Sequence, residues 1–138
     1  VNKKSIAWGL CLAAAIGMAF GAGVVVGENT PPEKMRGMNV SAPTALDLSH
    51  EVDGVEGRQL RVRVITFEPG GAAPLHSHKG RPGIVTVLKG TLTEHVEGKG
   101  VFDHHAGDTF VEDKNTVHWA ENRTSQTTVV LASDVYKP

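Results

Sequence analysis

The chain has one cysteine, Cys11, among 138 residues, so no disulfide can form within it. Charge of one sign is missing too: 14 lysines and arginines face 15 acidic residues, for a formal net charge of -1. Nucleic acid would demand a strongly basic domain, and it is therefore excluded as the expected partner. Aromatic residues make up only 5% of the chain, while glycine occurs 16 times and proline 7 times. That balance argues for short strands joined by turns rather than a helical bundle. After residue 50 there is no convincing helical periodicity, no solenoid-length repeat and no low-complexity tract. The length suits one domain and not two.

One long hydrophobic run is present. Lys3 and Lys4 precede Ile6 to Val26, 21 residues without a charge, and the polar stretch from Glu28 to Lys34 follows. A positive start before an apolar run is the pattern of a targeting segment. At about 1.5 Å per residue the run is also long enough to span a bilayer as a helix. A cleaved signal peptide and an uncleaved anchor, membrane-bound through residues 6–26, both fit. With lysines on the N-terminal side, the remainder is expected outside the cytoplasm, in the periplasm or an equivalent extracytoplasmic space. Cys11 comes near the start of the run, whereas a lipidated cysteine would close it. Without residues 1–27 the chain keeps 12 basic and 15 acidic residues, which favours solubility and says little about a ligand.

Residues 28–50 contain Pro31, Pro32 and Pro43 and few large apolar residues, and read as a linker or N-terminal arm. Met35, Met38, Val40, Leu46 and Leu48 could add a strand to a sheet edge or to a partner subunit. The folded domain is expected over 51–138. Leu60, Val62 and Val64 alternate with Gln59, Arg61 and Arg63, which predicts a strand with an apolar inner and a charged outer face. Glu68-Pro69-Gly70-Gly71 is expected to break it. Ile84 to Leu88, the turn at Lys89-Gly90 and Thr91 to Val96 read as a hairpin. Further short segments follow, to a total of seven or eight strands. Close spacing and glycine turns predict an all-β sandwich or small barrel, and exposed sheet edges favour a homodimer.

His76 and His78 are separated by one residue, so on a strand they point to the same face. If the strands close into a barrel, His118 can reach the same point. Three neutral imidazoles on one face bind a divalent metal and leave positions open for small molecules. Imidazole alone does not choose among iron, manganese, zinc, nickel and copper.

These residues resemble the two motifs of the cupin superfamily, G(x)5HxH(x)3-4E(x)6G and G(x)5PxG(x)2H(x)3N, over roughly residues 58–135. Gly70 or Gly71, His76, His78 and Gly90 match the first motif. Gly107, His118 and Asn122 keep the spacing of the second, with Asp113 and Asn115 where proline and glycine are usual. The resemblance implies a small single-domain cupin, a jelly-roll-like β-barrel with a mononuclear metal at His76, His78 and His118. The motif carboxylate would fall at Pro82 or Gly83 and is absent, which leaves a three-histidine site like that of thiol dioxygenases in the superfamily.

Glu94, His95 and His104 are the candidates for a substitute fourth ligand or a proton carrier. Each is equally compatible with a solvated strand face. Arg81 could clamp an anionic substrate, Trp119 is expected on the face opposite His118, and Asn122 is expected to support a turn. The functional expectation is a dioxygenase acting on a small molecule. A metal-dependent isomerase or lyase would use the same ligands, and a non-catalytic module that binds or senses a small ligand or metal is the alternative from another class.

Overall fold

The computed structural model describes residues 29–138; the apolar run read as a signal or anchor lies outside the described residues. Nine strands follow one another: β1 (Arg36–Val40), β2 (Thr44–Asp47), β3 (Gln59–Ser77), β4 (Gly83–Lys89), β5 (Thr91–Val96), β6 (Gly100–His105), β7 (Thr109–Glu112), β8 (Val117–Glu121) and β9 (Thr128–Tyr136). Among the described residues there is no α-helix, and none long and apolar enough to cross a membrane.

Every strand pair is antiparallel. The order along the sheet is β6-β5-β8-β3-β9-β4-β7, with β1 and β2 added to β3 from the segment between residues 28 and 50. The path curls into a nearly closed barrel. Its two ends, β6 and β7, are joined by a turn in which the Asp108 amide donates to the His105 carbonyl at 2.9 Å. The turn is held to β4 by the Val87 amide donating to the Asp108 carbonyl at 2.9 Å and the Gly107 amide to the Val87 carbonyl at 2.8 Å. Phe67, Val85, Val87, Leu92, Ala120, Val130 and Ala132 form the buried apolar core, which occupies one part of the interior and leaves the rest to polar side chains.

The expected break at Glu68 to Gly71 does not end the strand. β3 pairs with β9 up to Phe67 and with β8 from Ala72 onward, so the four residues form the corner at which one strand changes partners. Gly70 turns there with φ 74°, a conformation open to glycine at little cost. At Gly71 a Cβ would meet the Gly37 carbonyl oxygen and lie 2.9 Å from that of Glu68. One continuous strand therefore carries both Arg61-Val62-Arg63 and His76, with His78 just past its end.

Two further expectations are corrected. β4 and β5 are not a hairpin, since β4 pairs with β7 and β9 whereas β5 pairs with β6 and β8. Gly90, at φ 79°, carries the chain from one side of the barrel to the other, where a Cβ would stand 2.7 Å from Thr128 Oγ1. The faces of β3 are also reversed. Leu60 and Val64 are 41% and 38% exposed, and the arginines that alternate with them lie on the inner side. Alternation sets the period of a strand, but not which of its faces is covered. Here a buried carboxylate draws the charged face inward.

Candidate metal centre

His76 and His118 are directly opposite partners in the β3–β8 ladder, and His78 lies two residues beyond His76 on the same face. The three rings converge. Their Nε2 atoms are separated by 3.1 Å (His76–His78), 3.0 Å (His78–His118) and 3.1 Å (His76–His118).

The other ring nitrogens fix the tautomers. Nδ1 of His76 lies 2.8 Å from the Pro74 carbonyl, Nδ1 of His78 lies 3.1 Å from the Arg81 carbonyl, and Nδ1 of His118 lies 2.6 Å from Glu94 Oε1. A carbonyl or carboxylate oxygen can only accept, so each Nδ1 carries the proton. Each neutral ring then turns an Nε2 lone pair toward the other two. Burial holds His76 below its usual pKa, and it moves His78 down to about 4, helped by the charge of Arg81. Three acceptors turned toward one another form a group that could hold a cation.

The separations test this fit. Metal–imidazole bonds of about 2.1 Å place two nitrogens about 3.0 Å apart at a right angle and about 3.4 Å apart at the tetrahedral angle. The observed triangle is of the size that one divalent metal held by three imidazoles would need. Zinc, iron, manganese, nickel and copper all accept imidazole.

Two buried carboxylates surround the triangle, and together with His118 they form a second group that could hold a metal. Glu94 bridges His118 Nδ1 and His104 Nε2, the latter at 2.9 Å. Burial alone would raise its pKa, but these two hydrogen bonds keep it below the usual value. Glu94 is thus ionised and orients His118, as carboxylates do behind metal-bound histidines. His104 stacks on Phe110 with centroids 3.8 Å apart and reaches the site through Glu94. His95 lies on the other face of β5, stacked on Trp119 at 3.6 Å, with its Nε2 2.9 Å from Glu121 Oε1. Glu94 and His104 are therefore brought to the triangle, and His95 and Trp119 are not. Asn122 is fully buried, and its Nδ2 donates to the carbonyls of Phe67, Glu68 and Gln126, which ties the β3 corner to the end of β8.

Sequence reasoning missed Glu112. Its Oε1 stands 3.3 Å from His118 Nε2 and its Oε2 3.3 Å from His78 Nδ1. Glu112 is the direct cross-strand partner of Gly83, one of the two positions where the first motif would carry its carboxylate. A side chain at Gly83 has no room, because a Cβ would lie 2.9 Å from the Ser133 carbonyl and 3.3 Å from Glu112 Oε2. The carboxylate reaches the site from the neighbouring strand instead. Burial, reinforced by the charge of Glu94, raises the Glu112 pKa to about 7 against the opposing pull of His118 and two arginines. The sequence signal was one of four acids inside the second motif, six residues before His118; its pairing with Gly83 is a matter of register.

The triangle opens on a cavity of about 250 Å³ whose walls include Met35, Ile65, Val85 and Phe110, with Arg63 and Arg81 among its polar lining residues.

Known structures share this architecture. A predicted oxalate decarboxylase from Thermotoga maritima is 22% identical, with a TM-score of 0.50 over 67% of this chain and 90% of that one. The cupin domain of an XRE-family transcriptional regulator from Enterobacter cloacae is 16% identical, with a TM-score of 0.53 over 75% of this chain and all of that one. A sugar phosphate isomerase of the cupin superfamily from Silicibacter pomeroyi is 18% identical, with a TM-score of 0.53 over 73% of each chain. At such identities the likeness is one of fold. No curated protein sequence matches the chain. The cupin-domain family model matches residues 63–134, more than half of the chain and all of the histidine triangle, and the chain belongs to the cupin family.

Proposed function

We propose that the protein is a mononuclear metalloenzyme that transforms a small molecule in the barrel cavity, with dioxygenase chemistry as its reaction class. The observation that carries this reading is the triangle of three Nε2 lone pairs facing a cavity, with every Nδ1 already tied to an acceptor. A divalent metal held by His76, His78 and His118 supplies Lewis acidity and open positions for small ligands. The protein's own residues do the rest. Glu94 fixes the ring of His118, the Pro74 and Arg81 carbonyls fix the other two rings, and the apolar wall excludes bulk water.

A second reading, a metal-dependent isomerase or lyase, is favoured by Glu112. A buried carboxyl with its oxygens 3.3 Å from His78 Nδ1 and His118 Nε2 can take a proton from a substrate and return it. Oxygen uptake with a substrate panel separates these readings. Uptake coupled to product supports the oxygenase, solvent-proton exchange or elimination without uptake supports the second reading, and tight binding without turnover makes the protein a sensing or storage module.

Two further aspects belong to this proposal. Lys3, Lys4 and the apolar run 6–26 support export, with the domain either released or held at the membrane. Leu60, Ile84 and Val111 on the outer side of the barrel are 41%, 50% and 67% exposed, and an apolar patch of this kind supports a homodimer.

A further inference from the structure

The arginines that the strand pattern would place in solvent lie beside the cavity, around one aspartate. Asp134, on β9, has a side chain only 3% exposed. Arg61 satisfies it by a two-pronged pair, Nε to Oδ1 at 2.9 Å and an Nη to Oδ2 at 2.7 Å. That fork-to-fork geometry is the strong form of the contact. Burial alone would raise the Asp134 pKa, yet the hydrogen bond from Arg61 and the charges around it keep it below the usual range.

Two more guanidinium groups press on the same carboxylate. Arg63 contributes one nitrogen at 2.9 Å and Arg81 one at 3.3 Å, both to Oδ2. Asp134 can neutralise one cation, and Arg61 already claims it through two bonds. Arg63 and Arg81 line the histidine cavity; Arg61 does not, and its guanidinium packs over the Tyr136 ring 3.9 Å from the centroid.

Arg63 is the least compensated of the three. Its Nε is buried and has no hydrogen-bond partner. Leaving such a donor unmet is costly, and it shows that the protein alone does not fully compensate this cation beside the cavity. Burial, then the neighbouring charges of Arg61 and Arg81, push its pKa below the usual arginine value despite Asp134, whereas the hydrogen bond to Asp134 raises that of Arg61.

We infer that the cavity takes a small organic carboxylate, whose oxygens are received by Arg63 and Arg81 while the remainder of the molecule lies against the histidine triangle. This rests on the metalloenzyme reading for the orientation of the ligand, but not for the arginine contacts. An apolar wall opposite the arginines suits a short carbon skeleton, and a cavity of about 250 Å³ excludes large substrates. Glu112 is the one carboxylate in the same cavity. Even when ionised, it and Asp134 leave one of the three arginine charges unbalanced.

The test is a calorimetric titration of the full chain, both zinc-loaded and metal-free. The probes are acetate, lactate, malonate and benzoate, each set against its uncharged amide. At least one carboxylate is expected to bind about tenfold or more tighter than its amide, the scale of one charge-assisted hydrogen bond. Arg63→Met is expected to remove that preference and Arg81→Gln to reduce it, with zinc stoichiometry unchanged. The contrast between acid and amide needs no variant, so a folding defect in Arg63→Met does not shield the inference. Equal binding of every acid and its amide, absence of binding by all four acids, or a preference that survives in both variants would overturn it. Failure of zinc to bind the wild-type chain would count against the metalloenzyme reading instead. In that case the metal-free titration still decides whether the arginines recognise a carboxylate.

Discussion

Two groups of histidine lie back to back across β5 and β8, and they differ in what is left over once their hydrogen bonds are counted. On the inner side, His76, His78 and His118 have every Nδ1 engaged and three Nε2 atoms that converge on one another, with Glu112 Oε1 3.3 Å from that of His118. On the outer side, His95 is also buried, but its Nε2 meets Glu121 and its ring lies on Trp119 at an interplanar angle of 11°. Arg123 adds a second bond to the same carboxylate oxygen at 2.7 Å. Both groups combine buried imidazoles with a carboxylate. Only the inner one has converging lone pairs, and the proposed metal binding rests on that convergence and not on histidine content or burial.

The sharpest way to break the comparison is to delete one member of each group. His76→Ala is expected to abolish activity and to weaken metal binding at least a hundredfold, while His95→Ala keeps both within about twofold, because a ligand and a structural histidine differ in what they hold. A metal titration followed by a turnover assay measures both.

Removing the metal is the next largest perturbation. A metal present at about a hundred times its Kd adds roughly 2.7 kcal/mol to the stability of the folded state. Thermal unfolding with and without chelator should show this as a lower Tm in the wild type and in His95→Ala, and as no change in His76→Ala.

Glu94→Gln probes the support behind the triangle. Loss of a carboxylate that orients a ligand costs about 10–100-fold in metal affinity, less than loss of the ligand itself. A retained affinity would mean that the Nδ1 contact of His118 is dispensable.

The pH dependence of the metal-free protein separates the imidazoles from Glu112. His78 has a folded pKa near 4 against an ordinary 6.5, so the unfolded chain binds more protons between those values and acid lowers stability across that window. Glu112 runs the other way. With a folded pKa of about 7 against 4.5, its contribution is present below 4.5 and is lost as the pH rises through 7. Relative to the wild type, Glu112→Gln should therefore gain stability as the pH is raised from 4.5 to above 7, which denaturant unfolding at two pH values would reveal. A gap that stays constant with pH would contradict the burial of an ionisable Glu112.

The smallest effect belongs to the outer group. His95→Gln loses a ring stack and weakens a buried hydrogen bond, at a cost of about 1 kcal/mol, with metal affinity unchanged.

The triangle was legible in the sequence because its information is local. His76 and His78 share a face by the two-residue period of a strand, and the spacing from Gly107 through His118 to Asn122 marks the second half of the site. The all-β barrel was legible for the same reason, through turns and short alternating runs. What escaped depends on pairing between distant strands. Glu112 matters because it stands opposite Gly83, and the arginines of β3 turn inward because Asp134, more than seventy positions later in the chain, lies buried beside them. The hairpin expected at Gly90 failed similarly, since a glycine turn looks the same whether it joins neighbours in one sheet or carries the chain across a barrel.

The most direct test of the central claim is elemental analysis of protein purified without added metal or a histidine tag, before and after reconstitution, for the wild type, His118→Ala and His95→Ala. The geometry predicts one bound divalent metal per chain in the wild type and His95→Ala, and none in His118→Ala. Absence of metal from the reconstituted wild type, or full occupancy in His118→Ala, would contradict it.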